Sequence, residues 1–404
     1  MLLPAFIRYV LLFLLLFSTA LSFSQERPFI TIWETEEEGE SIIIPTEGEG
    51  YDYELYWESV EDEEINNTLT GLDGDVTITF DEPGTYRVAI SGDFPRIYFH
   101  EVEDDIKRRL KNIEQWGDIE WESMQFAFDG CTNMIMTAID IPDLSGVDNM
   151  SFMFNEAKSF NGDISSWDVS NITNMVYLFF EAYSFNQDIG DWDVSNVENM
   201  TGMFISAHSF NQDISDWDVS SVISMMSMFL GAQSFNQNIG SWDVSNVENM
   251  RGVFIESGLS TTNYDHILQG WAELESLQEG VLFGANPITY CNAEEARQQL
   301  IDDYGWDISD GGKAENCLVT STESPQETTL QLYPNPAANH IFIESGNGTL
   351  TQADIMDRTG KTVRTLPIAN QQDVMVDVGD LSAGVYLVRV HTDQSVRTVR
   401  FVKE

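Results

Sequence analysis

The hydrophobic positions between residues 150 and 257 recur every 25 residues, with no insertion. Each repeat reads Ser-Phe-Asn, then Asp-Ile or Asn-Ile, then Trp-Asp-Val-Ser, and then a Met. A fixed period of this length is typical of units that bury their apolar side chains against neighbouring units. We therefore predict a structural core ladder that consists of Phe160, Phe185, Phe210, Phe235, Trp167, Trp192, Trp217, Trp242, Met150, Met175, Met200, Met225 and Met250.

Two stretches of each repeat have the spacing of regular secondary structure. The stretch Asp-Ile-x-x-Trp-Asp-Val is rich in residues that favour strands. The i, i+3, i+4, i+7 spacing of one helix face recurs further on, for example at Met200, Met203, Phe204 and Ala207. One strand and one short helix in each repeat predict an α+β fold class with a short leucine-rich-repeat-like solenoid. An alternative for the tryptophans is an exposed aromatic stripe that stacks sugars or grips a partner.

The segments on either side of the repeats have patterns of their own. Residues 29–100 alternate apolar and polar side chains and predict an N-terminal β-sandwich-like module. Residues 83–92 resemble the end of a PKD-like β-sandwich, although the Trp-Gly-Asp-Gly loop of that family is missing. Residues 264–279 and 293–304 have helical patterns, which predict a helical cap after the repeats.

Three cysteines are too few for a disulfide-dense scaffold or a zinc framework. Cys291 and Cys317 bracket the second helical pattern. If the chain is exported to an oxidising compartment, we expect them to form a disulfide. Two unrelated buried thiols are the alternative. Cys131 has no obvious partner, and we expect it to be a small buried apolar side chain.

The repeat motif resembles a known family of surface proteins. The unit Phe-Asn-x-Asp-Ile-x-x-Trp-Asp-Val-Ser-Asn-Val-x-x-Met-x-x-Met-Phe is similar to that of the BspA-like leucine-rich-repeat proteins, over about Trp116 to Ser257. Departures include Ser224 before the Met and Asn238 in place of Asp. The resemblance implies a secreted or cell-surface bacterial protein that acts in adhesion or binding.

The N-terminus predicts export. Arg8 precedes an apolar run at residues 10–17, and small and polar residues follow at 18–24. This order is typical of a cleaved secretory signal peptide. The alternative is an uncleaved anchor, but the run is short for a span of about 20 residues. We therefore expect no transmembrane helix in the mature form.

The C-terminal module carries a different set of motifs. Tyr-Pro-Asn-Pro stands at residues 333–336, Leu-Ser-Ala-Gly-Val-Tyr-Leu-Val at 381–388, and the end is basic. Its strand-like runs predict a small antiparallel β-sandwich. The module resembles the type A C-terminal sorting domain of the type IX secretion system of Bacteroidota. The resemblance implies that the type IX machinery is a partner and that the protein reaches the outer-membrane exterior.

These patterns predict six segments. They are a signal peptide (1–24), a β-sandwich-like module (25–105), the repeat solenoid with its N-terminal cap (106–257), the helical cap (258–319), a linker (320–330) and the sorting domain (331–404).

Charge and motif content exclude several function classes. The formal net charge of −48, from 67 acidic and 19 basic residues, repels nucleic acid and anionic membranes. The five histidines are scattered, and no catalytic motif is present. We therefore predict no enzymatic activity and no cofactor. Aspartates recur at two repeat positions, where we expect them to cap turns, and calcium binding by these carboxylates is the alternative. They are Asp163, Asp188 and Asp213, and Asp168, Asp193, Asp218 and Asp243.

Two functions fit this pattern. The first is a non-catalytic surface protein that binds an unknown protein or glycan through the repeats. The second is a structural spacer or coat component without a specific ligand, and a calcium-dependent adhesin is a variant of the first. Binding would use side chains that differ between repeats, and the candidate surface is formed by Lys158, Tyr183, His208 and Gln233.

Overall fold

The computed structural model describes residues 26–315, 317, 330–333, 336–345, 349–357, 361–371, 373–392 and 396–403. The predicted signal peptide and the predicted linker, apart from its last residue, lie outside the described residues. The chain divides into two compact units, Met1–Cys317 and Leu318–Glu404, which are described separately.

The first compact unit begins with a sheet of mixed topology. Six strands come first: β1 (Phe29–Thr35), β2 (Ser41–Ile44), β3 (Asp52–Ser59), β4 (Asn66–Leu72), β5 (Val76–Thr79) and β6 (Gly84–Asp93). They are followed by α1 (Asp104–Lys107), β7 (Leu110–Gln115) and β8 (Ile135–Met136). The larger sheet has the order β4-β3-β6-β1-β7-β8, and β2 pairs with β5. Its strand pairs are antiparallel except for β7 and β8, which are parallel.

The predicted β-sandwich-like fold of the N-terminal segment is wrong. The larger sheet continues through β7 and β8 toward the repeats, so it is not one layer of a separate sandwich. The Phe29 ring on β1 lies 5.6 Å from Trp116 and 5.2 Å from Trp121, measured between ring centroids. A single hydrophobic core therefore runs from this sheet into the repeats.

The repeats consist of turns and not of regular elements. Residues 137–248, all of which the structure describes, contain no helix and no strand longer than a single bridge. Parallel bridges join equivalent positions of successive repeats, from Asn149 to Asn174, Asn199, Ser224 and Asn249. Each repeat therefore pairs with the next at a fixed offset of 25 residues.

The predicted helix in each repeat is wrong because two of its residues have left-handed backbone conformations. Phe152 has a φ of 59° and Glu156 a φ of 55°, which a right-handed helix cannot contain. The equivalent positions of the later repeats also have positive φ: Tyr177 and Glu181, Gly202 and Ser206, Ser227 and Gly231, and Gly252 and Glu256. The backbone N–H groups of Phe152 and Phe154 donate to carbonyls of the next repeat, at 2.9 and 3.0 Å, and not to the i−4 carbonyl of a helix.

The predicted strand is wrong for a similar reason. The N–H of Trp167 donates to the carbonyl of Ile164 at 3.2 Å, and that of Ile172 donates to Val169 at 2.9 Å, so this stretch folds into two turns. The predicted α+β class with a leucine-rich-repeat-like solenoid is therefore wrong. The chain is built from several small sheets of mixed topology, with few helices.

The segment after the repeats combines short strands with two helices. Its elements are β9 (Asn249–Met250), α2 (Thr261–Ala272), β10 (Leu282–Gly284), α3 (Glu294–Tyr304) and β11 (Asp307–Ser309). The strands form a parallel sheet in the order β11-β10-β9. The Asp265 carboxylate, which is buried on α2, accepts three backbone N–H bonds at residues 291–293, just before α3. This carboxylate fixes the chain where α3 begins.

The second compact unit is all β. Its strands are β12 (Leu330–Tyr333), β13 (His340–Ser345), β14 (Leu350–Asp357), β15 (Thr362–Gln371), β16 (Asp373–Asp377), β17 (Gly384–Thr392) and β18 (Val396–Lys403). They form two antiparallel sheets, in the orders β12-β13-β16 and β15-β14-β17-β18. A separate hydrophobic core, which includes Ile341, Ile355, Val388 and Phe401, belongs to this unit.

Candidate functional site

The core ladder lies in the interior of the repeats. Each of its members is at most 4% exposed. Phe160, Phe185 and Phe210 stack in sequence, with ring centroids 6.0 and 5.9 Å apart. The Trp192 and Trp217 indole N–H groups donate to carbonyls of the preceding repeat, at 3.0 and 2.9 Å. Because the rings are covered by their neighbours, the core ladder joins repeats and presents no ring face to a ligand.

Asparagines form a second ladder, which is polar. The side-chain oxygens of Asn161 and Asn186 accept the backbone N–H of the asparagine 25 residues later, at 2.8 and 2.9 Å. Asn211 accepts from Asn236 in the same way, and Asn236 accepts from Ser260. These bonds satisfy turn backbone groups that no regular element would pair.

The repeated aspartates bond within their own turns. In five aspartate turns the carboxylate accepts both the backbone N–H and the hydroxyl of the Ser two residues later, at Asp163, Asp168, Asp193, Asp213 and Asp218. The serine hydroxyl bond lowers the pKa of Asp163, Asp168 and Asp218 below the usual aspartate value. Within the described part of the chain, no three His, Cys, Asp or Glu side chains form a group that could hold a metal ion.

The candidate binding residues Lys158, Tyr183 and His208 form a variable row. The Lys158 ammonium lies 5.2 Å from the Tyr183 ring centroid, and the His208 ring stacks on Tyr183 at 4.6 Å. Glu181 accepts the Tyr183 hydroxyl at 2.8 Å, and this hydrogen bond raises the pKa of Tyr183. Gln233 is the exposed member of the row at the next repeat. The other three members are half-buried, and the members of this polar row differ chemically at every repeat.

A second outward row is apolar, and the sequence reasoning missed it. We call it the outer ridge: Tyr177, Phe180, Ile205, Leu230 and Ile255, all half-buried. Phe180, Ile205, Leu230 and Ile255 are equivalent positions, because the carbonyl of each accepts a backbone N–H from the preceding repeat. Their spacing of 25 residues is visible in the sequence and could have identified this row. Because each one follows the buried Phe of its repeat, the prediction placed it in the repeat helix instead.

Glycine keeps the outer ridge close to the backbone at one point. The Tyr177 ring, 5.5 Å from the Phe180 ring, covers Gly202 of the next repeat so closely that a side chain there would collide with it. Ile205 Cδ1 would lie 3.0 Å from a Cβ atom added at the same glycine. Tyr177 and Ile205 are thus adjacent, and the ridge is continuous across these two repeats.

An acidic cleft of about 640 Å³ lies where the N-terminal sheet meets the first repeats. Its floor includes the buried rings of Phe94 and Trp121. Six carboxylates line it: Glu26, Asp93, Asp118, Glu120, Glu122 and Asp143. Asp118 is paired with Arg27 at 2.7 Å, which lowers the pKa of Asp118 through the backbone and side-chain hydrogen bonds from Arg27. The cleft attracts cations, but its acids do not converge on one point.

A buried ion pair ties α1 to the start of the repeats. Asp129 accepts from the Lys107 ammonium at 3.3 Å, and both side chains are more than nine-tenths buried. His100 and Asn155 also contact this carboxylate. Lys107, His100 and Asn155 all bond to this one carboxylate, so the group links the α1 segment to the first repeat.

The cysteines divide into one bonded pair and one thiol. Cys291 and Cys317, the candidate disulfide pair, are joined by a disulfide across 26 residues. Cys131 is a free thiol in the core, and burial raises its pKa well above the usual value. It is therefore unreactive at neutral pH.

Two families of known proteins match parts of the chain. Residues 122–215 and 188–279 match the family described as "Mycoplasma protein of unknown function, DUF285". Residues 331–404 match the "Secretion system C-terminal sorting domain". No curated protein matches the chain. A solved structure of the CBM51-2 and INT domains of Clostridium perfringens ZmpB is 9% identical, with coverage of 94% of this chain and 70% of that one, but its TM-score of 0.14 carries no structural argument.

These matches define the class of protein. The sorting domain makes the chain an exported surface or secreted protein that interacts with the type IX secretion machinery. The middle of the chain, where the 25-residue motif recurs, is similar to a family of unknown function. No helix in the described residues combines the length and hydrophobicity that a membrane crossing requires.

Proposed function

We propose that this protein is a non-catalytic surface protein of a Bacteroidota-type bacterium that binds a partner, as an adhesin does, through the outward side of its repeats. The observation that carries the proposal is a contrast between inward and outward positions. The core ladder keeps its Phe, Trp or Met in every repeat, whereas the variable row and the outer ridge change. Outward side chains that differ between repeats offer a partner several kinds of contact, which a spacer would not use.

The two outward rows offer different chemistry to a partner. The outer ridge supplies half-buried apolar surface, which is favourable to cover. The variable row supplies a cation, a phenol and an imidazole for hydrogen bonds. A surface that combines apolar anchors with adjustable polar groups suits a protein or a glycan.

A binding screen tests the proposal. The secreted protein is applied to arrays of glycans and surface proteins, alongside Ile205→Lys on the outer ridge and His208→Ala in the variable row. We expect a defined ligand class to bind the native protein and at least one variant to lose that binding while its urea unfolding midpoint stays close to native. If no ligand binds, the spacer function is the better explanation. If both variants bind like the native protein, the ligand uses another surface and the proposed site is wrong.

Deletion of the sorting domain tests the export route. We expect a chain that lacks residues 331–404 to accumulate inside a type IX-competent host, because the machinery has nothing to recognise. Unchanged surface and medium levels would contradict this.

A further inference from the structure

The sheet β12-β13-β16 of the second compact unit carries a row of three exposed apolar side chains. Tyr333 on β12 is opposite Phe342 on β13, and Phe342 is opposite Met375 on β16. The three side chains are 45%, 38% and 58% exposed, and the two rings stack with centroids 5.6 Å apart. We call this row the apolar strip.

The strip lies on the face of the sheet that points away from the core. Side chains alternate between the two faces of a strand, and the strand neighbours of Phe342, Ile341 and Ile343, are fully buried. Val376, next to Met375, is also buried. The core of the unit therefore lies on the other side of the sheet, and the strip residues are not part of it.

The clustering of these three side chains separates them from ordinary surface residues. Five large apolar residues are exposed in the described part of this unit, and three of them form the strip. The other two, Val363 on β15 and Val385 on β17, are separated by β14 in the other sheet. Isolated exposed apolar residues are common, whereas an aligned row marks a surface that another molecule covers.

We propose that the apolar strip is the surface by which the type IX secretion machinery recognises this sorting domain. The matching surface of the machinery is an apolar patch with a basic rim. The module matches a family whose role is sorting, so it must be bound by another protein. Asp373 and Asp377 stand two residues on either side of Met375, exposed on β16, and make the rim of the strip acidic. A second copy of the chain is a poor occupant, because each copy has a net charge of −48 and an acidic rim of its own.

The test compares strip variants with matched controls in the full-length protein, expressed in a type IX-competent host. Phe342→Ser and Met375→Ser alter the strip, whereas Val363→Ser and Val385→Ser alter side chains of similar exposure, 44% and 42%, in the other sheet. We expect each strip variant to lower the exported fraction about fivefold or more, since removing an anchor from an interface has effects of this size. The controls should export like the native protein, and Asp373→Lys should reduce export as the strip variants do.

A second measurement distinguishes recognition from misfolding. The retained precursor is treated with protease, and a strip variant that fails only in recognition keeps a native-like resistant fragment. Native export of both strip variants would overturn the proposal, and so would equal loss of export in the controls or a protease-sensitive precursor. If the strip variants export normally but change the oligomeric state in gel filtration, a second copy covers the strip. If they export normally but lower the thermal stability of the full chain, the strip packs against the chain itself. Either of these results also overturns the proposal.

Discussion

Replacement of Trp217 by alanine measures how strongly the core ladder holds the repeats together. The Trp217 side chain is 3% exposed, and its indole N–H donates to the Ile189 carbonyl of the preceding repeat at 2.9 Å. Its ring also stacks on Trp242 of the following repeat, with centroids 6.2 Å apart. The residue therefore takes part in both interfaces of its repeat.

The expected loss follows from these contacts. Removing about 150 Å² of buried apolar surface costs about 4 kcal/mol at about 25 cal/mol per Å². The Ile189 carbonyl loses its donor, which adds about 1 kcal/mol. The total of about 4 to 5 kcal/mol agrees with the usual range for large-to-small core changes. With a urea dependence of about 3 kcal/mol per M, the unfolding midpoint should fall by about 1.5 M.

Equilibrium urea unfolding, followed by circular dichroism under non-oxidising and non-reducing conditions, is the assay. Trp217→Phe is the first control, because it keeps most of the ring and loses mainly the indole bond. Trp121→Ala is the second, because the buried Trp121 indole N–H has no hydrogen-bond partner among the described residues, so its loss should be smaller. An unchanged unfolding midpoint for Trp217→Ala would refute the reasoning. If ligand binding were lost at the same time, Trp217 would belong to the binding site and not to the core.

Three further predictions concern charges and the disulfide. Asp129→Ala should destabilise the first compact unit by about 3 to 5 kcal/mol in urea unfolding, because it leaves the buried Lys107 ammonium unpaired. The double variant Lys107→Met with Asp129→Leu removes both charges and should recover most of this loss. Cys317→Ser should cost about 3.5 kcal/mol, the loop-closure entropy of the 26-residue separation from Cys291, and a native thermal midpoint would contradict this. The aspartates of three aspartate turns have a lowered pKa, so they stabilise the folded state fully above the ordinary aspartate pKa, and this stabilisation is lost as pH falls below it. Ser170→Ala removes one of the hydroxyl bonds and should weaken this acid sensitivity in unfolding curves measured from pH 7 to pH 3.

The period of the sequence located the buried side chains but could not specify the backbone. The inward positions of a stacked turn happen to be spaced i, i+3, i+4, i+7, as in the stretch from Met150 to Ala157, and a helix face has the same spacing. The left-handed residues that rule out a helix are Phe152 and Glu156 in this repeat, so no glycine marks them in the sequence. Their conformation is imposed by hydrogen bonds to the next repeat, which a local pattern does not contain.

The outward surface was less predictable than the core for a related reason. The variable row could be found because Lys158, Tyr183 and His208 differ while their neighbours repeat. The outer ridge could not be told from core side chains, because Ile205 and Leu230 are apolar and adjacent to buried phenylalanines. Only the turn geometry shows that they point outward and remain half-buried.

Two glycines at equivalent positions allow the contact between the backbone and the outer ridge to be isolated. Gly202 and Gly252 both have left-handed backbones, with φ values of 63° and 70°. A Cβ atom on Gly252 would meet only ordinary contacts, the nearest at 3.4 Å, whereas one on Gly202 would collide with the Tyr177 ring.

Alanine at either glycine lowers the free energy of unfolding by about 1 to 2 kcal/mol, because the residue must adopt a left-handed backbone. Gly202→Ala lowers it by about 1 to 3 kcal/mol more through overpacking, because the Tyr177 ring must move. The difference between the two urea midpoints therefore measures how firmly the ridge holds that ring. In a Tyr177→Ala background, Gly202→Ala should cost about as much as Gly252→Ala does in the native protein, because the remaining close contact, Ile205 Cδ1 at 3.0 Å, is the end of a flexible side chain. If the two alanine variants lose equal stability, the ring moves aside freely, and the outer ridge is then too soft to be the preformed apolar surface that the proposed binding function requires.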